Sequence, residues 1–169
     1  MECNNFRLCI TNLEEKGKKS EKCTYSKCLT SYDSRKKVVI EENRKKYELL
    51  NPNSDRIANF HIDGGMIPSP NITKCDNLLI DTDSDVAIFI ELKGTDLKHA
   101  LKQIEVMIDK LSNDLMNYRI FARIVTSNRT NVPNIKTCPQ YVALNRKVLK
   151  NHGNISIHSN IISENISNI

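Results

Sequence analysis

The chain has 169 residues, with 25 Lys and Arg against 20 Asp and Glu, and its formal net charge is +5 at pH 7. This length fits one domain with a sizeable hydrophobic core. No stretch is long and apolar enough to span a membrane, the first residues lack a leader-like apolar run, and the six cysteines do not follow a secreted disulfide pattern. These features exclude the membrane-spanning and disulfide-stapled classes, and we expect a cytoplasmic protein with no membrane partner.

Residues 1–34 are interpreted as a polar, Lys-rich extension that carries four of the cysteines: Cys3, Cys9, Cys23 and Cys28. Four thiolates can hold a structural zinc ion, but the tight C-x2-C pairs of most such sites are missing. Two alternatives stay open for this segment. It is either organised by zinc or it is a loosely built element with reduced, unliganded thiols.

Residues 35–50, with the sequence RKKVVIEENRKKYELL, fit two different structures. They form either one helix or two short strands, at residues 38–40 and 47–50. The β-branched residues 38–40 and Tyr47 favour strands slightly. Both alternatives stay open.

A strand is predicted from residue 57, where apolar and polar residues begin to alternate. The alternation ends at Gly64 and Gly65, where a bend or bulge is expected. Asp63 stands immediately before these glycines. It either points toward a functional centre or shapes the Asp-Gly turn.

The pattern of residues 76–93 predicts a β-hairpin, and we interpret the rest of the chain around it. Asp76 opens the apolar run 77–80, a polar turn follows at 81–85, and a second apolar run leads to Glu91, Leu92 and Lys93. Successive strand side chains face opposite sides, so Glu91 and Lys93 share one face. If the turn closes the hairpin, two carboxylates and an ammonium meet at one end of a small sheet.

The elements after the hairpin predict a crossover and a second layer. An apolar stripe at helical spacing from Leu97 to Leu115 indicates a long helix that packs on the sheet. Residues 118–126 alternate and predict a strand parallel to the second hairpin strand. Residues 141–149 look helical, 155–158 look extended, and 160–169 are expected to form a flexible tail.

Charge is distributed unevenly along the chain, because no acidic residue lies between Asp114 and Glu164. A basic segment without acids, beside an acidic centre, would suit a protein that binds the phosphates of nucleic acid. The alternative is a solvated basic surface. The residues predicted to contact nucleic acid are Arg119, Arg123, Arg129, Arg146, Lys147 and Lys150.

The hairpin residues resemble the active-site motif of the PD-(D/E)XK nucleases, the restriction-endonuclease-like superfamily. Asp76 matches the first acid of that motif, and Glu91, Leu92 and Lys93 match its E-x-K. The resemblance covers about residues 57–126. The chain departs from the pattern at residues 74–75, where the family has its proline, and at Met107, where one branch has a tyrosine.

The resemblance implies an α/β domain over residues 35–159, with the order α-β-β-β-α-β around a central mixed sheet. It implies an endonuclease-type enzyme that hydrolyses nucleic-acid phosphodiester bonds, DNA being favoured over RNA. In such an enzyme Asp76, Glu91 and the Leu92 carbonyl hold Mg²⁺ or Mn²⁺, and Lys93 acts on the attacking water. Enzymes that cut both strands often act as homodimers, so a homodimer is a further expectation.

Three further residues are accessory candidates. Gln103 matches the helix glutamine of the recombination-nuclease branch, and Asp63 is the acid before the glycine turn. Glu42 fits an accessory acid on the first helix if residues 35–50 are helical. Two rival functions stay open: a non-catalytic nucleic-acid-binding or scaffolding protein of the same fold, and a partner-binding module organised by zinc.

Overall fold

The computed structural model describes residues 5–18, 27–127 and 134–169. The α-helices in these ranges are α1 (Phe6–Lys16), α2 (Leu97–Leu111) and α3 (Pro139–Lys150). The strands are β1 (Leu29–Asp33), β2 (Lys37–Glu42), β3 (Lys45–Leu50), β4 (Ile57–His61), β5 (Asn77–Asp81), β6 (Val86–Lys93), β7 (Arg119–Thr126), β8 (Ile155–Ser159) and β9 (Ile161–Asn165). None of the described helices is long and apolar enough to cross a membrane.

The strands form a six-stranded sheet in the order β1-β4-β5-β6-β7-β8 and a three-stranded sheet in the order β2-β3-β9. The large sheet is antiparallel from β1 to β6 and parallel from β6 to β8. The predicted mixed α/β class, the mixed sheet and the parallel pairing of β6 with β7 are therefore confirmed. Residues 35–159 begin with strands and not with the expected helix, because α1 precedes this range and residues 35–50 form β2 and β3. The restriction-endonuclease-like core therefore stays a prediction.

The predicted hairpin is the pair β5–β6, in which Asn77 lies opposite Ile90 and Asp81 opposite Val86. Its turn is held by Asp81, whose Oδ1 accepts hydrogen bonds from the backbone N–H groups of Asp83 at 2.9 Å and Ser84 at 3.2 Å. An Asp side chain that bonds its own turn in this way favours chain reversal. The hairpin register is thus set locally.

Residues 35–50 form the strands β2 and β3, which settles the open alternative against one helix. Glu42 therefore ends a strand, and the helical position that the resemblance suggested for it is wrong. The small sheet packs on one face of β5–β7, where its apolar residues meet Leu79, Ile88 and Ile90. The helices cover the other face, which presents Leu78, Phe89 and other apolar side chains.

The N-terminal segment differs from the loosely built element that the sequence suggested. Helix α1 is buried in the main core, where the Phe6 ring lies 5.0 Å from the Phe60 ring in an edge-on arrangement. Cys9 and Cys28 are buried in the same core, while Cys3 and Cys23 lie outside the described residues. Apolar side chains at helical spacing in α1 explain this packing, since they complete the core that β4 and β5 begin.

The expected flexible tail is instead ordered structure. Strand β9 pairs in parallel with β3, and Ile162 and Ile166 are buried against the hairpin. Arg123 holds this segment, because its Nε donates to Glu164 Oε1 at 2.6 Å and its side chain is only 1% exposed. The Tyr47 hydroxyl donates to the same oxygen at 2.8 Å.

We expect Arg123→Met to lower the free energy of unfolding by about 3–5 kcal/mol, because it leaves the largely buried Glu164 carboxylate without its cation. Urea unfolding followed by circular dichroism measures this change. The double variant Arg123→Met/Glu164→Leu should recover much of the loss, since it removes both charges. The exposed Arg146→Met is the control and should change stability by less than about 0.5 kcal/mol. An unchanged urea midpoint for Arg123→Met would contradict this account.

Candidate active site

Asp76 and Glu91 lie together at one end of the central hairpin. The β5–β6 register pairs Asn77 with Ile90, and continuing it by one residue puts Asp76 opposite Glu91 on the helix-covered face. Asp76 Oδ2 accepts a hydrogen bond of 2.7 Å from the backbone N–H of Leu92. This bond fixes the first acid against the strand that carries the second.

Lys93 completes the predicted set of three, and its Nζ lies 3.7 Å from Glu91 Oε1. Glu91 is almost fully buried, at 2% exposure of its side chain, whereas Lys93 is 29% exposed. The three residues named as catalytic from the sequence are thus brought together. Their chemical roles stay predictions.

Burial opposes the charged forms of both acids, and neighbouring negative charges add to this effect. Burial raises the pKa of Glu91 to about 8, the charge of Asp76 adds to the rise, and the Lys93 ammonium opposes it. Burial also raises the pKa of Asp76, while the Leu92 N–H lowers it and the charges of Glu42 and Asp63 raise it further. The pair therefore favours the binding of positive charge, either a proton or a cation.

Two observations bear on whether these residues fit a metal ion. Glu91 Oε2 is buried without a hydrogen-bond partner, and an unpaired buried carboxylate oxygen is costly unless something binds it. Within the described ranges, no three His, Cys, Asp or Glu side chains are grouped as a metal site. The donors that the structure brings together are the carboxylates of Asp76 and Glu91, and the Leu92 carbonyl stays a predicted third ligand. This set fits Mg²⁺ or Mn²⁺, which complete their coordination with water and substrate oxygens.

The accessory candidates surround this centre in different ways. Asp63 is exposed and pairs with Lys74, whose Nζ lies 3.2 Å from Asp63 Oδ1. Gln103 donates from Nε2 to the Lys74 carbonyl at 2.7 Å, and its Oε1 is buried without a partner. Glu42 is exposed at the end of β2, and its negative charge raises the pKa of Asp76. Asp63 and Gln103 are therefore linked to this region through Lys74, and Glu42 is linked through its charge.

Lys74 is the residue of this region that sequence reasoning missed. It is 6% exposed, and its Nζ donates to the carbonyls of Ser69 at 2.6 Å and Ile72 at 3.4 Å. It thereby fixes the loop that precedes Asp76. Its signal in the sequence is a lysine two residues before Asp76, at the position where the chain departs from the family pattern.

A cleft of about 220 Å³ opens beside Lys74, between that loop and the start of α2. Its walls combine a few apolar groups with neutral and charged polar ones. The lining residues are Asp63, Pro70, Asn71, Ile72, Thr73, Lys74, His99 and Gln103.

The basic residues predicted to bind nucleic acid differ in exposure within the described part of the chain. The prediction for Arg123 is wrong, because this residue is buried and bonded to Glu164 and Asn154. Arg119 is half-buried and donates to the Ile169 carbonyl at 2.7 Å.

The other four basic residues differ in how available their charges are. Lys147 is held by the carboxylates of Asp109 at 2.5 Å and Glu105 at 3.3 Å. Arg146 and Lys150 are exposed on α3. Arg129 lies outside the described residues.

The chain was compared with protein-family models, with curated proteins and with solved structures, and none of them matches it.

Glu91→Gln should stabilise the metal-free protein at high pH. In the wild type the folded pKa of about 8 exceeds the ordinary value of 4.5, so the folded state keeps a proton that the unfolded state has lost. The contribution of Glu91 to the free energy of unfolding therefore falls as the pH rises between these two values, and it is constant above them.

We expect the Glu91→Gln variant to gain about 2–4 kcal/mol over wild type at pH 9, and little at pH 4, because one pKa unit corresponds to about 1.4 kcal/mol. Urea unfolding in EDTA across this pH range measures the difference. A stability gain that is independent of pH would contradict the assignment of the shift to Glu91.

Proposed function

We propose that the protein is a metal-dependent nuclease that hydrolyses nucleic-acid phosphodiester bonds, with DNA favoured over RNA. The observation that carries the proposal is the Asp76–Glu91 pair, in which one buried carboxylate oxygen has no partner and an ammonium stands beside it. A buried pair of acids with raised pKa values at a strand end is typical of a functional site rather than of a stabilising one.

Each residue has a distinct role in the proposed reaction. Asp76 offers Oδ1, since Oδ2 accepts from the Leu92 N–H, and Glu91 offers the unpartnered Oε2. Together with the Leu92 carbonyl they would hold Mg²⁺ or Mn²⁺, which lowers the pKa of water and stabilises charge on the phosphate. Lys93 orients the attacking water and neutralises charge that develops on the phosphate. Gln103 and Asp63 position the loop before Asp76 through Lys74.

The proposed substrate surface includes the exposed face of α3. Arg146 and Lys150 are exposed there, on a segment of the chain without acids. Such cations bind phosphates without sequence preference and position the strand. A homodimer and a cytoplasmic location stay predictions of the sequence alone.

Removing each member of the acid–lysine set should separate two roles. Asp76→Ala and Glu91→Ala should abolish cleavage and weaken Mn²⁺ binding, because each removes a charged oxygen ligand. Lys93→Ala should abolish cleavage but bind Mn²⁺ as well as wild type or better, since it removes a positive charge near the ion. Plasmid cleavage assays and calorimetric Mn²⁺ titrations measure the two properties.

The matched control is Asp83→Asn, which removes an acid from the same hairpin at its opposite end, where Asp83 pairs with Arg56. It should cut at the wild-type rate. A folded Lys93→Ala protein that also cuts at the wild-type rate would show that the E-x-K assignment is wrong. Nucleic-acid binding without Mn²⁺-dependent cleavage in the wild type would favour the non-catalytic alternative.

Nucleic-acid affinity should depend steeply on salt, because each neutralised phosphate adds about 0.9 to the log–log slope for duplex DNA. The double variant Arg146→Gln/Lys150→Gln should lower that slope by about 2 if both residues contact phosphates. Fluorescence anisotropy of a labelled duplex at several salt concentrations measures it. The control Lys16→Gln/Lys36→Gln removes two exposed charges elsewhere, and an equal change in both double variants would contradict a specific role for α3.

A further inference from the structure

The carboxyl ends of the parallel strands β6, β7 and β8 form one edge of the large sheet, and the candidate active site lies on that edge. The chain segments that leave these strands are bonded to one another. Ser127 N–H donates to the Gly94 carbonyl at 3.1 Å, and Asn160 N–H donates to the Thr126 carbonyl at 2.8 Å. In open α/β sheets ligands bind outside this edge.

The turn of the β2–β3 hairpin, residues 42–45, is fixed onto the same edge. Lys46 N–H donates to the Asn160 carbonyl at 2.9 Å. Lys45 is buried, and its Nζ lies 3.4 Å from Ser127 Oγ and 3.2 Å from the Asn43 carbonyl. The turn therefore has a defined position relative to Lys93 and Gly94, which lie at the end of β6.

Arg44 occupies an unusual position in this turn. Asn43 and Arg44 both have left-handed backbone conformations, with φ of 48° and 63°. Two-residue hairpin turns of this kind strongly favour Asn followed by Gly, so an arginine in the second position costs local stability. Residues that break a local rule without a structural gain are expected at functional positions. Arg44 is exposed and makes no ion pair within the described part of the chain.

The negative charges around the site suggest a role for Arg44 in binding a polyanion. The charges of Glu42 and Asp63 act on Asp76 at this edge, and a polyanionic strand that approaches these three acids meets repulsion. Lys93 is already beside Glu91. Arg44 is exposed on a turn that is fixed to the edge, and its guanidinium supplies planar, bidentate donors that suit phosphate oxygens.

We propose that Arg44 binds a backbone phosphate that flanks the scissile one, so that the β2–β3 turn is a fixed clamp for the nucleic-acid strand. This inference rests on the proposed nuclease function and adds a substrate-binding residue to it. Arg44 holds the strand through a contact that is the same in the ground state and the transition state. It therefore contributes to substrate affinity and not to the chemical step.

The test compares Arg44→Asn with wild type, because Asn removes the charge and tolerates the left-handed conformation. Arg44→Gly, which suits the turn equally well, is the second variant if Asn disturbs folding, and Arg44→Lys keeps the charge. The control is Lys36→Gln, an exposed cation at the opposite end of the same hairpin. Binding of a fluorescein-labelled DNA duplex is measured by anisotropy with Ca²⁺ in place of Mn²⁺, and cleavage is measured with Mn²⁺.

We expect Arg44→Asn to raise the Kd about eightfold at about 0.1 M salt and to lower the log–log salt slope by about 0.9, the values for one lost phosphate contact. KM should rise by a similar factor with kcat unchanged, and Arg44→Lys should retain most of the affinity. Lys36→Gln should bind like wild type.

Three results would overturn the inference. If wild type cuts DNA and Arg44→Asn binds with the same Kd and salt slope, the clamp is wrong while the nuclease function stands. If Lys36→Gln loses as much affinity as Arg44→Asn, the effect is one of net charge. If wild type neither binds nor cuts nucleic acid, the clamp and the proposed function fall together.

Discussion

Asp76 and Glu91 bring two carboxylates into the same buried corner, where burial raises the pKa of both and the charge of Asp76 raises the pKa of Glu91 further. The Leu92 N–H and the Lys93 ammonium offset only part of this effect, and one Glu91 oxygen has no partner. The hairpin keeps both acids close together despite the unfavourable charge. Burial of its apolar side chains on both faces stabilises this arrangement. The remaining elements of the fold cover that hairpin.

The two faces of β6 explain why the acids lie at its end. Helices cover one face and the small sheet covers the other, so the strand is apolar from Val86 to Ile90 and buried throughout. A charged side chain in the middle of such a strand would be far from water. At the carboxyl end Lys93 is partly exposed, and a cleft lies beside Lys74 in the loop that precedes Asp76. The position of the candidate site therefore follows from where strand β6 ends.

Local patterns predicted most of the core, and long-range contacts account for what they missed. The β5–β6 hairpin, α2 and β7 follow from alternation and helical spacing within short windows, and the convergence of Asp76, Glu91 and Lys93 follows from the hairpin. The buried state of Arg123 does not, because its partner Glu164 stands 41 residues later in the chain. The ordered end of the chain likewise depends on pairing with β3, and α1 depends on a core built by later strands. The two residues of each such contact lie too far apart in the sequence for a local pattern to include both.

The parallel pairing of β3 with β9 has a consequence for biosynthesis. Lys46 pairs with Ile161, so the small sheet joins strands that are synthesised more than a hundred residues apart. Loop closure over such a distance is slow, and non-local pairing of this kind delays folding. During translation the apolar face of β5–β7 stays without its full cover until residue 165 has left the ribosome. A nascent chain that has not yet reached β9 exposes part of this apolar face, and exposed apolar surface of this kind favours aggregation of folding intermediates.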